Sequence, residues 1–203
     1  MELVGLYGSP FVRRVAVTAQ YLGIALPQRP ISIFKSYDEM RAINPMVKVP
    51  TLLFDNGSIM VESTLIIAYL ESLADATQTL MPNSPDQHLA ATRHIGPALV
   101  AMEKAAQLVY ETSLRPEGKQ HAPWKERLVQ QLMAAIDLME AAAADAAPWI
   151  LGEIICQADL SIAIAWEFLN RTAPDRFKLP DCPALSELSV RAEAAPQFAA
   201  CGP

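Results

Sequence analysis

The stretch Ser9-Pro10-Phe11-Val12-Arg13-Arg14, which follows a short apolar run at residues 2–7, decides how the first part of the chain folds. The apolar run predicts a buried strand. Serine is a favoured N-cap, and proline is favoured at the first helical position because its missing N–H would have no partner there. Apolar residues then recur at helical spacing until Gly23, a typical helix end. The sequence therefore predicts a strand that leads directly into a helix.

Strands and helices continue to alternate after this first pair. The apolar residues at 31–34 indicate a second strand, and residues 38–43 indicate a short helix. Two apolar runs within residues 51–60 surround Asn56-Gly57, which is a strong hairpin signal. Ser63 then opens another helix. This order favours an α/β layer in which helices pack on a small mixed sheet.

The character of the chain changes after residue 75, where a segment rich in proline, threonine, asparagine and serine reads as a linker. Beyond it the strand patterns stop, and apolar residues recur only at helical spacing. We therefore expect an α/β first domain at residues 1–76, a linker at 77–86 and an all-helical domain at 87–203.

Composition narrows the classes of function. The net charge is -6 and no basic cluster is present, which disfavours nucleic-acid binding. No apolar run is long enough for a membrane span, and the first residues lack the pattern of a signal peptide, so a cytoplasmic protein is expected. The three cysteines (Cys156, Cys182 and Cys201) lie far apart and the three histidines are scattered, so neither a metal site nor a disulfide framework is expected.

Three motifs together resemble the serine-type glutathione transferase superfamily, and the resemblance covers essentially the whole chain. They are Ser9-Pro10-Phe11-Val12-Arg13-Arg14, the loop Asn44-Pro45-Met46-Val47-Lys48-Val49-Pro50, and Glu62-Ser63. A fourth match is partial, because Cys156 stands where many members have a capping Ser or Thr three residues before Asp159. The resemblance implies a thioredoxin-like first domain, a helical second domain, a homodimer and glutathione as co-substrate without a metal.

By this resemblance Ser9 is the catalytic residue. Glutathione reacts as a thiolate. A hydroxyl donor at a helix start, where the helix dipole is positive, favours that ionised form. Ser9 would act as a hydrogen-bond donor and not as a covalent nucleophile. Tyr7 is the rival donor, because some classes of the family use a tyrosine near the end of the first strand, and an ordinary N-cap is the structural alternative for Ser9.

The other two motifs are expected to hold the remainder of glutathione. A cis Val49-Pro50 bond would turn the Val49 main chain toward the cysteinyl unit. Glu62 would meet the γ-glutamyl ammonium, and Ser63 at a helix start would hold the α-carboxylate. Lys48 could meet the glycyl carboxylate. Each of these residues also has an ordinary structural role as its alternative.

The electrophile site is expected between the domains. The candidate residues are Tyr7, Phe11, Phe34, Tyr110 and Trp166. Aromatic residues at such spacings more often simply pack in a core.

The predicted function is conjugation of glutathione to small apolar electrophiles, the chemistry of detoxification. The alternatives are a glutathione-dependent isomerase, dehalogenase or peroxidase of the same fold, and a non-catalytic interaction module.

Overall fold

The structure, a computed structural model, describes residues 1–75, 77–173 and 176–203. The chain divides into two units, one formed by Met1–Met81 with Ala194–Pro203 and the other by Pro82–Glu193. The domain boundary expected at Ala76 lies outside the described residues. The sequence predicts that residues 194–203 belong to the helical domain, whereas in the structure they pack with the first unit.

The first unit begins with strands and helices in alternation, as expected. Its elements up to residue 81 are β1 (Glu2–Val4), α1 (Pro10–Tyr21), β2 (Gln28–Arg29), α2 (Tyr37–Ile43), β3 (Thr51–Leu53), β4 (Ile59–Met60) and α3 (Ser63–Leu73). The strands form one sheet in the order β2-β1-β3-β4. β1 is parallel to β2 and antiparallel to β3, and β3 is antiparallel to β4. The sheet is therefore mixed, and α1 packs against α3.

The second strand is displaced from its predicted position. The N–H of Leu3 donates to the carbonyl of Pro27 at 2.8 Å, and the N–H of Gly5 donates to the carbonyl of Arg29 at 3.0 Å. Pairing with β1 therefore selects residues 28–29. The prediction of a strand at 31–34 is wrong because the apolar pattern there reports burial of Ile31 and not sheet pairing.

Gly5 allows β1 to approach both α1 and the loop before β3. It adopts a φ of +134°, a conformation that side chains rarely permit. A Cβ atom placed on it would lie 2.6 Å from Cγ2 of Val12 and 3.1 Å from Cβ of Val49. The absence of a side chain at Gly5 thus brings the start of α1 and Val49 to the same end of β1.

The second unit is built from helices, as expected. They are α4 (Pro85–Val109), a π-helical turn (Tyr110–Leu114), a short 3-10 turn (Glu117–Lys119), α5 (Ala122–Ala144), α6 (Gln157–Thr172) and α7 (Pro183–Glu193). α4 packs against α5 and α6, and α7 packs against both α5 and α6. α6 is buried along almost its whole length, which explains its nearly unbroken apolar sequence.

The unusual cap of α6 is supported by an acidic side chain. Asp159 accepts the N–H of Cys156 and the N–H of Ile150, each at 2.8 Å. One buried carboxylate therefore ties the helix start to the preceding loop, although burial raises the pKa of that carboxyl.

The chain ends in α8 (Pro196–Ala199), which packs against α1 within the first unit. None of the described helices is long and apolar enough to cross a membrane. The described residues also contain no group of three or more metal-ligating side chains.

Candidate active site

Ser9 occupies the N-cap position of α1 but does not use its hydroxyl as a cap. Its backbone is extended, with φ -82° and ψ 123°, and its carbonyl accepts the N–H of Arg13 at 2.9 Å. The side chain makes no capping hydrogen bond, and within the described part of the chain its hydroxyl has no other partner. The residue is half-buried. The hydroxyl is therefore available beside the first-turn N–H groups of α1, which have no intrahelical partners.

Tyr7 is the rival donor. Burial, followed by the nearby thiol of Cys201, raises the pKa of Tyr7. Tyr7 is half-buried and lies in the loop beyond the end of β1.

A buried asparagine shapes the loop that carries the second motif. Asn44 donates from Nδ2 to Oγ1 of Thr51 at 2.9 Å and to the carbonyl of Lys48 at 3.3 Å, and its Oδ1 accepts the N–H of Met46 at 2.9 Å. The Thr51 hydroxyl donates to the same Lys48 carbonyl at 2.7 Å. These bonds close the loop upon itself. Val47 within it holds a left-handed φ of 50°, which is uncommon for a branched residue.

This loop presents Lys48 and Val49. The Val49-Pro50 bond is cis, as the resemblance implies. The main-chain N–H and C=O of Val49 make no hydrogen bond to any residue that the structure describes, so both can pair with an extended ligand. Lys48 is exposed, and its ammonium forms no ion pair with the described residues. Pro50 is buried behind them.

Glu62 is the side-chain cap of α3. Its Oε1 accepts the N–H groups of Thr64 and Leu65, the latter at 3.1 Å. Neither bond uses Oε2, and the side chain is exposed, so Glu62 retains an acceptor for an ammonium group. The N–H groups of Thr64 and Leu65 at the start of α3 already donate to Glu62, so the γ-glutamyl carboxylate would have to use other donors there.

The hydroxyl groups at the start of α3 are held by a buried arginine. Nη1 of Arg14 donates to Oγ of Ser63 at 3.0 Å and to Oγ1 of Thr64 at 3.2 Å. Arg14 is 1% exposed and Ser63 is 2% exposed, whereas Thr64 is exposed. Burial lowers the pKa of Arg14 to about 10, and the charge of Glu62 partly offsets that effect. Arg14 therefore stays cationic at neutral pH, and both hydroxyls accept from it while keeping their own protons to donate.

The family model of the glutathione S-transferase N-terminal domain matches residues 3–78. A GST-like protein of Escherichia coli, YibF, is 27% identical over 176 residues, which cover 86% of this chain and 85% of that protein. The chain belongs to the glutathione transferase superfamily. Its fold, a thioredoxin-like unit and a helical unit, is the fold of that superfamily.

Solved glutathione transferase structures resemble the whole chain. One from Methylobacterium radiotolerans, in complex with glutathione sulfonate, is 25% identical with a TM-score of 0.89 and covers 100% of this chain and 94% of its own. A glutathione transferase family member from Pseudomonas fluorescens Pf-5, with bound glutathione, is 25% identical with a TM-score of 0.84 and covers 100% of this chain and 98% of its own.

The aromatic candidates in this transferase-family chain lie in different surroundings. Phe11 is half-buried in the first turn of α1, and Phe34 is 57% exposed in a turn. Trp166 is 5% exposed within α6, and its Nε1 donates to Oγ of Ser186 at 3.3 Å, so it packs in the helical core. Tyr110 is 43% exposed at the start of the π-helical turn.

Tyr110 also lines a cavity within the second unit. The cavity has a volume of about 510 Å³, and its lining residues are Gln107, Tyr110, Glu111, Leu114, Arg115 and Trp124. Glu111 is buried in its wall, where it accepts the N–H of His121 at 2.8 Å and pairs with Arg115 at 2.7 Å. The His121 N–H holds the pKa of Glu111 below its usual range, followed in effect by Arg115. π-Helical turns occur frequently at functional sites.

Sequence reasoning missed two residues that organise this site. The sequence assigns no role of its own to Asn44, the first residue of the loop motif, and none to Thr64. The spacing of Asn44 from Thr51 carries no recognisable pattern, because their hydrogen bond depends on the path of the loop between them. Thr64 directly follows the Glu62-Ser63 motif, so its position beside a predicted binding residue was the available signal.

Proposed function

We propose that this protein is a glutathione transferase that binds glutathione in its first unit, keeps the thiol ionised beside Ser9 and conjugates it to small apolar electrophiles. The main observation behind the proposal is that the Ser9 hydroxyl lies at the start of α1 and makes no capping hydrogen bond. The family membership and the glutathione-bound relatives support it.

Ser9 supplies the donor that the chemistry requires. With a thiol pKa of about 8.5, only about 3% of free glutathione is thiolate at neutral pH, and a pKa lowered by about two units makes the thiolate the main form. The Ser9 hydroxyl donates to the sulfur, and the positive end of α1 favours its negative charge. The sulfur then forms a bond to the electrophilic carbon. In a substitution the electron pair of the broken bond departs with the leaving group, and in an addition the π-electron pair moves onto the neighbouring atoms, which then take up a proton.

The rest of glutathione is an extended zwitterionic peptide, and the first unit offers a partner for each part. The free N–H and C=O of Val49 pair with the cysteinyl unit. Glu62 takes the γ-glutamyl ammonium, and the hydroxyls of Ser63 and Thr64 donate to its carboxylate. Lys48 reaches the glycyl carboxylate. Arg14 behind the two hydroxyls balances the charge of Glu62, which already occupies the N–H groups there.

Among the aromatic candidates, Tyr110 is the one best suited to contact the second substrate. It is partly exposed and lines a cavity, whereas Trp166 is buried. An isomerase, dehalogenase or peroxidase would share the same thiolate, and assays across electrophile types distinguish these activities from conjugation.

We further propose a cytoplasmic homodimer, with a solution mass of twice the 22.2 kDa of one chain. Light scattering after size-exclusion chromatography checks this mass, and a mass of 22.2 kDa would contradict it.

The test is calorimetric titration of glutathione together with ultraviolet absorbance of the bound thiolate, on the wild type and on Ser9→Ala. We expect glutathione to bind both proteins, while Ser9→Ala raises the pKa of the bound thiol by about one unit or more and lowers turnover about tenfold at neutral pH. Ser36→Ala is the matched control, because Ser36 is a half-buried N-cap of α2 that also makes no capping bond. No binding at millimolar glutathione would favour the interaction module. An unchanged thiol pKa in Ser9→Ala would remove Ser9 as the donor.

A further inference from the structure

The π-helical turn at the end of α4 joins two of the residues that line the cavity of the second unit. The N–H of Arg115 donates to the carbonyl of Tyr110 at 3.2 Å, the wide hydrogen bond of a π-turn. Nε2 of Gln120 donates to the carbonyls of Thr112 and Arg115 at 3.1 and 3.2 Å. These bonds fix the main chain of the turn, so a ligand in the cavity would meet side chains that are already ordered.

Arg115 lines this cavity with donors to spare. Its Nε donates to Oε2 of the buried Glu111 at 2.7 Å, while Oε1 of Glu111 accepts the N–H of His121 at 2.8 Å. Both oxygens of that carboxylate are therefore occupied. Within the described part of the chain the two Nη groups of Arg115 make no hydrogen bond, and the side chain is 54% exposed. The guanidinium can thus offer a planar pair of donors to an incoming group.

The wall beside this guanidinium is aromatic and apolar. Trp124, in the first turn of α5, is exposed, and among the described residues no other aromatic ring or cation contacts its indole. Leu114 is exposed as well, and both line the cavity. Open aromatic faces bind planar rings. Of the six lining residues Arg115 alone is basic, and Glu111 beside it disfavours a dianion such as a phosphate monoester.

We propose that the cavity of the second unit is a binding site for an aromatic carboxylate, whose charged group meets the Nη atoms of Arg115 and whose ring lies against Trp124. The arginine fork matches the two oxygens of a carboxylate. The volume of about 510 Å³ is in the range of small-molecule sites. The proposal concerns binding alone, so it depends neither on the role of Ser9 nor on glutathione.

Calorimetric titration of 2-naphthoate and of its uncharged analogue 2-naphthamide into the full chain, without glutathione, tests the proposal. We expect 2-naphthoate to bind with a Kd of about 1 mM or lower, and more tightly than the amide. Arg115→Met should weaken 2-naphthoate about tenfold, the order of one charge-assisted hydrogen bond, and leave 2-naphthamide within about twofold. Trp124→Ala should weaken both ligands, because each loses its stacking surface.

Glu111→Gln separates recognition of the carboxylate from support of the fold. It keeps an acceptor for the His121 N–H but removes the negative charge beside Arg115. It should tighten 2-naphthoate by about twofold or more, because the guanidinium then faces no competing carboxylate. A purely structural pair would give weaker binding when it is broken. Arg115→Lys keeps the charge without the fork, so its affinity for 2-naphthoate should lie between those of the wild type and Arg115→Met.

Two controls remove a cation elsewhere. Arg171 makes the same contact four residues along its helix, from Nε to Oε1 of Glu167 at 3.0 Å, but does not line the cavity. Lys48 is the exposed cation of the proposed glutathione site. Neither Arg171→Met nor Lys48→Met should change the affinity for 2-naphthoate. Equal affinity of the wild type for acid and amide, or no binding at millimolar 2-naphthoate, would overturn the proposal. A loss in Lys48→Met as large as in Arg115→Met would also overturn it, since the carboxylate would then bind in the first unit.

Discussion

At the scale of single residues, Asn44 shows how one side chain can organise a binding loop. It is fully buried and uses both ends of its amide, reaching the Lys48 carbonyl, the Thr51 hydroxyl and the Met46 N–H. The buried acceptors and donors that it satisfies would otherwise cost free energy. The free main chain of Val49 is available to a ligand because Asn44 satisfies the groups around it.

We therefore predict that Asn44→Ala lowers the free energy of unfolding by about 1–3 kcal/mol, the cost of leaving buried polar groups unpaired. It should also weaken glutathione binding, because the conformation of Lys48 and Val49 is no longer fixed. Urea denaturation and calorimetry measure the two effects. Asn56→Ala is the control, since Asn56 lies at an exposed hairpin turn and, among the residues that the structure describes, its side chain bonds to nearby Ser58 alone. Equal effects of the two substitutions would contradict the role of Asn44.

The sequence predicts those candidate-site residues whose signal lies within one short motif. Ser-Pro at a helix start, the proline loop and Glu62-Ser63 are short patterns with physical meanings of their own. Asn44, Arg14 and Cys201 act across the chain on partners 7, 49 and 188 residues away. No pattern within a short window encodes such contacts, so they require the folded structure.

At the scale of elements, α1 and α3 pack together and are joined by a polar contact. Arg14 of α1 donates to the two hydroxyls at the start of α3, next to the exposed carboxylate of Glu62. A buried guanidinium is costly to desolvate, and the Ser63 and Thr64 hydroxyls that accept from it are neutral. This arrangement places a positive charge behind exposed Thr64 and near the exposed carboxylate of Glu62.

We predict that Arg14→Met weakens glutathione binding about tenfold, the order of one hydrogen bond to a charged group. The loss should largely vanish for 4-aminobutyryl-cysteinyl-glycine, which lacks the γ-glutamyl carboxylate. Calorimetry with both peptides gives the difference. Arg171→Met removes an exposed ion pair of α6 and should change neither affinity. An equal loss for both peptides would mean that Arg14 only supports the fold.

Element types were easier to predict than strand positions. The helices followed from apolar spacing, caps and prolines. β2 did not, because a two-residue strand has almost no pattern and its location depends on which residues β1 can pair with. The π-helical turn after α4 likewise leaves no local signature in the sequence.

At the scale of the whole molecule, the division into units does not follow the order of the sequence. Residues 194–203 come after the helical unit yet belong with residues 1–81. A composition change near residue 75 marks one boundary, but no composition change marks the return, because Phe198 and Cys201 look like ordinary helical-core residues. Chain length and apolar periodicity do not predict the burial of these residues against α1, because that contact joins segments that are far apart in the sequence.

This division predicts where glutathione stabilises the molecule. A ligand that binds only the folded state adds about 2.7 kcal/mol of protection at a concentration of 100 times its Kd. Hydrogen exchange should therefore slow in β1, α1, β3 and the start of α3, and also in residues 196–201, although these last are remote in sequence from every proposed ligand contact. Amides of α5 and α7 should change least, because the proposed glutathione contacts all lie in the first unit. Slowing confined to residues 1–81 would contradict the attachment of residues 194–203 to the glutathione unit, since segments that open together gain protection together.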